Sequence, residues 1–417
     1  MKIEKQLTKN PSFKKLWLAH ALSQLSGYTL IFLVVGKTFE VTTSNIASGM
    51  LWISFTIPTL FLSPFVGSLI DLWNKQKILV LTNFLQWLVI YGFAISFSID
   101  KPYLAHPLLF LYAAIGTIND PAEMAKIPGV VEKSHLPVAN NLLFFTDHAS
   151  LIFSSVLAGV LLKIVSLPIA ISIIASMPLV ASFVASTLPE EKNPDQTAIS
   201  LSTELEKLID KIRAGYQFLS QNRLILYSFS LMIAFKVLLA TTIILLPDFS
   251  KNILGASVYD AGFMVVLPLA IGLISGTIIL GKYQGKTRKW RWIGRGLLML
   301  GVNFLLLIFL NPANLVSRRF FNVLLAVLAG VSISIINAPV QSFIQEVTPK
   351  DLRGHTFSTL AFFTTLASIP SVFISTALSE ILGIKAFLTI IAIAILSLGF
   401  YVSQRGNEIV LSTNNRH

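Results

Sequence analysis

Gly67-Ser-Leu-Ile-Asp71-Leu-Trp-Asn-Lys75-Gln-Lys77 is a short polar interruption between two long apolar runs, residues 46–70 and 78–99. Each run is long enough to cross the hydrocarbon of a bilayer, which takes about 20 mainly apolar residues in a helix. The interruption therefore reads as a tight turn at a membrane surface. Gly67 permits close approach of a neighbouring helix. Asp71 is placed to face a helix N-terminus or a cation, and Lys75 and Lys77 hold the turn at the cytoplasmic surface.

The same alternation continues along the 417 residues. Apolar runs lie near 14–36, 46–70, 78–99, 106–128, 139–163 and 166–188, then near 224–247, 258–281, 293–311, 320–344, 356–378 and 384–403. Backbone polar groups in lipid must be satisfied inside their own segment, so the runs are helices. Pro58, Pro64, Pro178, Pro268 and Pro370 are tolerable as kinks there. The composition agrees: 54% hydrophobic and 12% charged, with a mean hydropathy of +0.74, where soluble domains are about a quarter charged. No cleavable signal peptide is evident, because the first run, Leu16 to Val35, is too long and lacks a small-residue cleavage site. The expected fold class is an all-α polytopic membrane protein of twelve transmembrane helices.

The net charge of +12 is sorted by face rather than clustered as in a nucleic-acid-binding chain. Twenty-four of the 32 Lys and Arg fall at the N-terminus, in alternate loops and at the C-terminus, and seven in the opposite loops. Lys236 lies inside a run. The basic excess marks the cytoplasmic side, which puts both termini in the cytoplasm and the chain in the cell membrane.

The polar stretch Pro189 to Arg223 divides the runs six and six. The expected organisation is an N-terminal bundle (1–188), a cytoplasmic linker (189–223), a C-terminal bundle (224–403) and a cytoplasmic tail (404–417). Within the linker, Leu201, Leu205, Leu208 and Ile212 share one helical face. That face fits a helix lying on the membrane surface better than a regulatory site. The halves also echo one another: Asn119-Asp-Pro121 answers Asn337-Ala-Pro339, and Gly67-Ser-Leu-Ile-Asp71 answers Gly276-Thr-Ile-Ile-Leu280. Duplicated bundles with a substrate site at their interface are how many secondary transporters are built.

In a twelve-run chain, Gly67-Ser-Leu-Ile-Asp71 followed by Lys75 and Lys77 resembles the loop 2–3 signature of the major facilitator superfamily. Further stretches are similar to its macrolide-efflux and enterobactin-exporter branch. These are Phe13-Lys-Lys-Leu-Trp17, Pro121-Ala122 through Ala139-Asn140, Leu245-Leu246-Pro247, Gln345 and Leu352-Arg353-Gly354. The resemblance implies two six-helix bundles, and Asp71 as a residue that secures the cytoplasmic gate. Two departures matter. Where relatives carry Gly-Asp after Ser-x-Leu of the first span, Ser23-Gln-Leu25 is followed by Ser26-Gly27. In the fifth span, Ser154-Ser155-Val-Leu-Ala-Gly159 keeps only the last Gly of the antiporter element. Proton–drug antiport is therefore not carried over intact.

Ionisable residues within spans are costly and normally face a cavity or a partner. Eight runs lack them in their central part; the exceptions are His20, Asp120, Asp147, His148 and Lys236. From helix rise, Lys236 lies roughly 18 Å deep, Asp147 roughly 12 Å and Asp120 roughly 10 Å. Asp147 and Lys236 are thus the deepest acid and base, and the leading candidates for a charge step; the alternative is a static ion pair. Asp120, near Glu123 and Lys126, reads as a gate or surface ion pair. Adjacent Asp147 and His148 point about 100° apart, so one of them faces a cavity. His20, Gln24 and Gly27 form a polar stripe; His20 either lines a cavity or hydrogen-bonds a neighbouring helix. Ser334, Asn337, Gln341 and Gln345 form a second stripe, and Thr364, Ser368, Ser371 and Ser375 a third that suits close helix packing. Gln24, Asn337 and Gln341 are the other substrate-cavity candidates.

With no Cys, disulfides, thiolate metal sites and cysteine nucleophiles are excluded. There is no phosphate-binding glycine loop, so the chain is not read as ATP-driven. No metal-ligand spacing and no nucleophile–base–acid set stands out, so no cofactor and no enzymatic activity are expected. A membrane-embedded lipid-modifying enzyme is the rival class; it would need polar groups clustered at one interface. The expected function is export of a lipophilic or amphiphilic small molecule (drug, metabolite or siderophore) coupled to protons, by a monomer in the bilayer. The alternative is an uncoupled facilitator or importer.

Overall fold

A computed structural model of the chain describes residue 7 and residues 9–99, 101–190, 223–283, 289–310, 312, 314–347 and 353–414. Among the described residues there are twelve long α-helices: α1 (Pro11–Thr42), α2 (Asn45–Leu72), α3 (Lys75–Ser98), α4 (Ala105–Lys126), α5 (Leu136–Ile164), α6 (Leu167–Ser186), α7 (Arg223–Phe249), α8 (Leu267–Tyr283), α9 (Lys289–Phe309), α10 (Leu315–Val347), α11 (Arg353–Leu382) and α12 (Ile384–Asn414). Among the described residues, segments within ten of the helical stretches are long and apolar enough to cross a membrane, and they do not include α4 or α7. Large apolar side chains such as Phe61, Phe153, Phe183, Phe320 and Ile381 stand exposed on the helices, as a lipid-facing surface requires. This is an all-α polytopic membrane protein.

Most helices extend beyond their apolar runs: α1 continues to Thr42, α10 covers Leu315–Val347 and α12 reaches Asn414, into the segment expected as a tail. Hydropathy marks only the thickness of hydrocarbon, whereas a helix continues wherever its backbone bonds can be made. The eighth run is broken up at its start. Gly255 takes the left-handed conformation (φ 63°), Ser257 caps a 3₁₀ turn, and Gly262–Val266 is π-helical before α8 begins. Pro268 thus follows directly on the π-helical turn, at the point where the hydrogen-bond pattern changes to that of α8. The linker segment around Leu201–Ile212 lies outside the described residues.

The chain forms two compact units, Met1–Val41 with Met50–Leu208, and Thr42–Gly49 with Ile209–His417. In the first, Asn10 caps α1, its Oδ1 accepting the Ser12 and Phe13 N–H groups at 3.0 and 3.2 Å, and Pro11 opens the helix. Two apolar layers follow. Phe13, Leu16, Ile78, Ala122 and Leu143 build one; Leu30, Leu33, Ile90, Phe93 and Ile171 build the other. Between them each of four helices carries polar residues: His20 to Tyr28 on α1, Thr82 to Gln86 on α3, Gly116 to Glu123 on α4 and Thr146 to Ser150 on α5. Equal helix rise brings these stretches to one level.

In the second unit, Gly272 and Gly330 let α8 and α10 cross with backbones touching. Gly294, Gly301 and Gly399 do the same for α9 and α12. The pairing of α3 with α6 and of α3 with α4 in the first unit recurs as α9 with α12 and α9 with α10 in the second. The internal echo of the sequence is therefore present in the packing as well. The Thr42–Gly49 segment is held by Glu380, whose Oε2 accepts the Ser44 hydroxyl at 2.7 Å and the Ile46 N–H at 3.0 Å.

Candidate functional site

The polar layer of the first unit encloses a cavity of about 150 Å³. Ser23, Gln24, Gly27 and Tyr28 of α1 form one wall, Phe55 and Thr59 of α2 a second, and Gln86 of α3 a third. Tyr112, Gly116, Thr117 and Asp120 of α4 complete it. A Cβ at Gly27 would run into the Tyr112 hydroxyl. The absence of a side chain at Gly27 is thus what lets α1 and α4 close around the cavity.

Each wall is fixed by side-chain hydrogen bonds. Ser23 donates to Gln86 Oε1 at 3.1 Å, and Tyr28 donates its hydroxyl to Asp147 Oδ1 at 2.8 Å. Trp17 Nε1 donates to Thr146 at 2.7 Å, and Ser154 to the Leu25 carbonyl at 2.9 Å. Thr82 donates to Asn119 Oδ1 at 2.6 Å. One turn beyond the cavity, His20 Nδ1 lies 2.7 Å from Glu123 Oε2 and His20 Nε2 lies 3.3 Å from the Leu143 carbonyl. Both side chains are buried, with 4% and 2% of their area exposed. Glu123 Oε1 has no hydrogen-bond partner among the described residues.

The sequence candidates divide accordingly. Gln24 lines the cavity; His20 does not, because its ring is turned into the α1–α4–α5 contact. Of the two readings open for His20, the hydrogen bond to neighbouring helices is the one observed. Asp120 lines the cavity and is solvent-accessible there, rather than forming the ion pair at the helix end. Glu123 turns to His20 and Lys126 donates to the Pro189 carbonyl at 2.7 Å. Asp147 meets Tyr28, while His148 is exposed, bonded to its own helix at the Phe144 carbonyl at 2.9 Å and packed on the Phe144 ring. Asn337 is half-buried and Gln341 exposed on α10. Ser334, in the same stripe, is bonded to Thr277 at 2.8 Å and serves the α8–α10 contact. Asp71 and Lys236 fall on α2 and α7, their side chains outside the described ones, so the expected pairing of Asp147 with Lys236 lies outside the described residues as well.

Glu123, Tyr28, Tyr112 and Gln86 were not singled out from sequence. Glu123 reads as one member of a charged helix end, and its partner is 103 residues away.

The second unit holds a different cavity, about 80 Å³ and almost wholly apolar. Leu245 of α7, Phe304 of α9, Leu325 of α10 and Phe387 of α12 line it, with Thr241, Thr242, Asn303 and Asn322 as its polar members. Asn303 Nδ2 donates to the Leu325 carbonyl at 2.9 Å. Asn322 is buried, and its Oδ1 has no partner among the described residues. An apolar pocket with a few convergent polar groups is the usual form of a small-molecule site. No group of three or more His, Cys, Asp or Glu able to hold a metal occurs among the described residues.

The sequence profile of the Major Facilitator Superfamily matches residues 16–372. The protein named "Uncharacterized MFS-type transporter YfiS" of Bacillus subtilis (strain 168) is 25% identical over 397 residues, 93% of this chain and 91% of that one. That named "Putative bacilysin exporter BacE" of Bacillus amyloliquefaciens is 21% identical over 351 residues, 84% of each. The crystal structure of the nucleoside transporter NupG superposes with a TM-score of 0.70 at 14% identity, covering 94% of this chain and 98% of that one.

Proposed function

Because the chain belongs to the Major Facilitator Superfamily, and is a multi-pass secondary transporter rather than an enzyme, we propose that it exports a lipophilic or amphiphilic small molecule in exchange for protons. The proposed arrangement is twelve spans in two six-helix bundles, 1–188 and 224–403, joined by the 189–223 linker, in the cell membrane with both termini cytoplasmic. Asp71 secures the cytoplasmic turn between α2 and α3, and Asp120 and Gln24 present polar groups to the cargo. The protein works as a monomer.

The observation that carries the substrate class is the apolar cavity of the second unit, where the polar groups Thr241, Thr242, Asn303 and Asn322 interrupt an apolar wall. Such a wall favours an apolar body, and a free amide oxygen favours one hydrogen-bond donor upon it. The direction is supported by BacE, a relative named as an exporter, and by the stretches similar to the macrolide-efflux and enterobactin-exporter branch. The test is uptake by proteoliposomes with an acid interior, over a panel of amphiphilic cations, macrolides and catecholate siderophores. Accumulation of one panel member that collapses when the pH gradient is dissipated supports the reading. Movement that only equilibrates the solute, gradient or not, makes the protein a facilitator.

A further inference from the structure

We propose that the His20–Glu123 pair is the proton-binding site of the exchange: one proton shared between Nδ1 and Oε2 lets the ring tie α1 to α4 and to α5 at once, and its departure breaks one of those ties. The proposal rests on the proton-exchange reading above and adds to it a site and a structural consequence.

Hydrogen-bond accounting leads there. A neutral imidazole has one donor and one acceptor nitrogen; the imidazolium has two donors. His20 Nε2 faces the Leu143 carbonyl at 3.3 Å, and a carbonyl oxygen can only accept, so Nε2 carries a hydrogen. Nδ1 then has two ways to satisfy a 2.7 Å contact with Glu123 Oε2. Either it is protonated and donates to a carboxylate, or it is unprotonated and accepts from a carboxyl O–H. Both arrangements hold two protons on the pair, differing only in which side of one hydrogen bond the second proton sits. With one proton fewer, the ring keeps a single hydrogen: on Nε2 it leaves a nitrogen lone pair facing a carboxylate lone pair, and on Nδ1 it keeps the Glu123 bond but leaves a bare Nε2 facing the Leu143 carbonyl. Two acceptors in contact repel, and in a buried place that repulsion is little screened. One of the two ties of His20, to Glu123 on α4 or to Leu143 on α5, is therefore lost when the proton leaves and restored when it returns.

The surroundings give the proton a route. Asp120 sits three residues before Glu123 on α4, one turn toward the cavity, on the same helix face. Asp120 and Asp147 are the acids within electrostatic reach of the ring. The other described titratable groups around the pair are Lys126 on α4, bonded to the Pro189 carbonyl, and Tyr28 on α1, bonded to Asp147. From α3 the described neighbours are neutral: Thr82, Asn83 and Gln86. Glu123 Oε1, buried and unpartnered, is the acceptor through which water from the cavity reaches the pair. On release the proton passes to water in the cavity, and the pair retains one proton, on the imidazole ring.

The test is infrared difference spectroscopy of the full-length protein in lipid, titrated between about pH 4 and pH 10, with ¹³C-labelled histidine to mark the imidazole bands. The expected result is a carboxyl or carboxylate band and an imidazole band that change together at one pH, with one proton taken up per chain. The coupled change should be lost in Glu123→Gln, which leaves only the imidazole to titrate, and in His20→Gln, which leaves only the carboxyl, with helix content and thermal unfolding used to show that each variant folds. Glu123→Asp should restore a coupled signal at a displaced pH. Two bands titrating at separate pH values, or a signal unchanged in Glu123→Gln, would overturn the proposal. So would the absence of any titration in the wild type. The readout needs no substrate: a coupled titration in a protein that never accumulates solute against a pH gradient would sink the exchange reading and leave the site standing.

Discussion

Gly272 and Gly330 meet where α8 crosses α10, so closely that a Cβ built on Gly330 would lie 2.9 Å from the Gly272 Cα. A Cβ on either residue would also strike a backbone carbonyl of the other helix, Leu269 or Val327. Membrane helices gain from such approach because lipid gives them no hydrophobic drive to associate. Gly272→Ala and Gly330→Ala should each cost about 1–3 kcal/mol by overpacking and lower the thermal unfolding temperature in detergent. Gly281→Ala, on the same helix with nothing within 4 Å of its would-be Cβ, should instead be neutral or stabilise by up to about 1 kcal/mol. Equal unfolding temperatures for all three would mean the crossing is not tight.

Asn322 and Asn303 line one cavity but should respond oppositely to the same substitution. Asn322 keeps a buried, unpartnered Oδ1, and removing an unsatisfied polar atom recovers about 1 kcal/mol or more. Asn303 donates to the Leu325 carbonyl, and losing that bond costs about 1 kcal/mol. Asn322→Leu should therefore raise the unfolding temperature while weakening transport of a donor-bearing substrate several-fold, and Asn303→Leu should lower it. A destabilised Asn322→Leu would show that its carbonyl is satisfied after all.

The helices were legible in the sequence because hydrocarbon thickness imposes a length that apolar runs reveal directly; α3 and α6 lie within three residues of their runs. The start of α8 was not, since Gly255, Ser257 and the π-helical Gly262–Val266 answer to local hydrogen bonding that hydropathy ignores. Of the site, Gln24 was legible as part of a helical stripe. Glu123 was not, because its meaning depends on His20, on a helix 103 residues earlier. The cavity-lining place of Asp120 was not legible for the same reason: the charged neighbours that suggested a gate or helix-end ion pair, Glu123 and Lys126, are bonded to His20 and the Pro189 carbonyl.

The absence of cysteine makes the proposed orientation directly testable. A cysteine replacing Glu40, just after the first apolar run, should react with a membrane-impermeant maleimide added to intact cells. One replacing Lys286, in the basic loop between the eighth and ninth runs, should react only in inverted vesicles. The reverse pattern would place the basic loops outside and invert the topology drawn from the charge asymmetry.

Asp147 and Glu123 offer competing sites for the proton, and their hydrogen bonds separate them. Asp147 accepts one bond from Tyr28 at 2.8 Å; an asparagine carbonyl accepts the same bond, so Asp147→Asn keeps α1 tied to α5 while removing the charge. Glu123 shares its bond with a titratable ring, and Glu123→Gln destroys the exchange of a proton across it. If the pair on α1 and α4 carries the proton, Asp147→Asn should retain at least about half of gradient-driven accumulation of an identified substrate. Glu123→Gln should lose about tenfold or more, roughly 1.4 kcal/mol or more in the driven step, while downhill counterflow persists. Tyr28→Phe completes the comparison: it leaves the Asp147 charge and removes only the tie, so it should cost about 1 kcal/mol of stability and little coupling. Abolished accumulation in Asp147→Asn, with Glu123→Gln unaffected, would move the proton to α5 and return Asp147 to the role its depth in the helix first suggested.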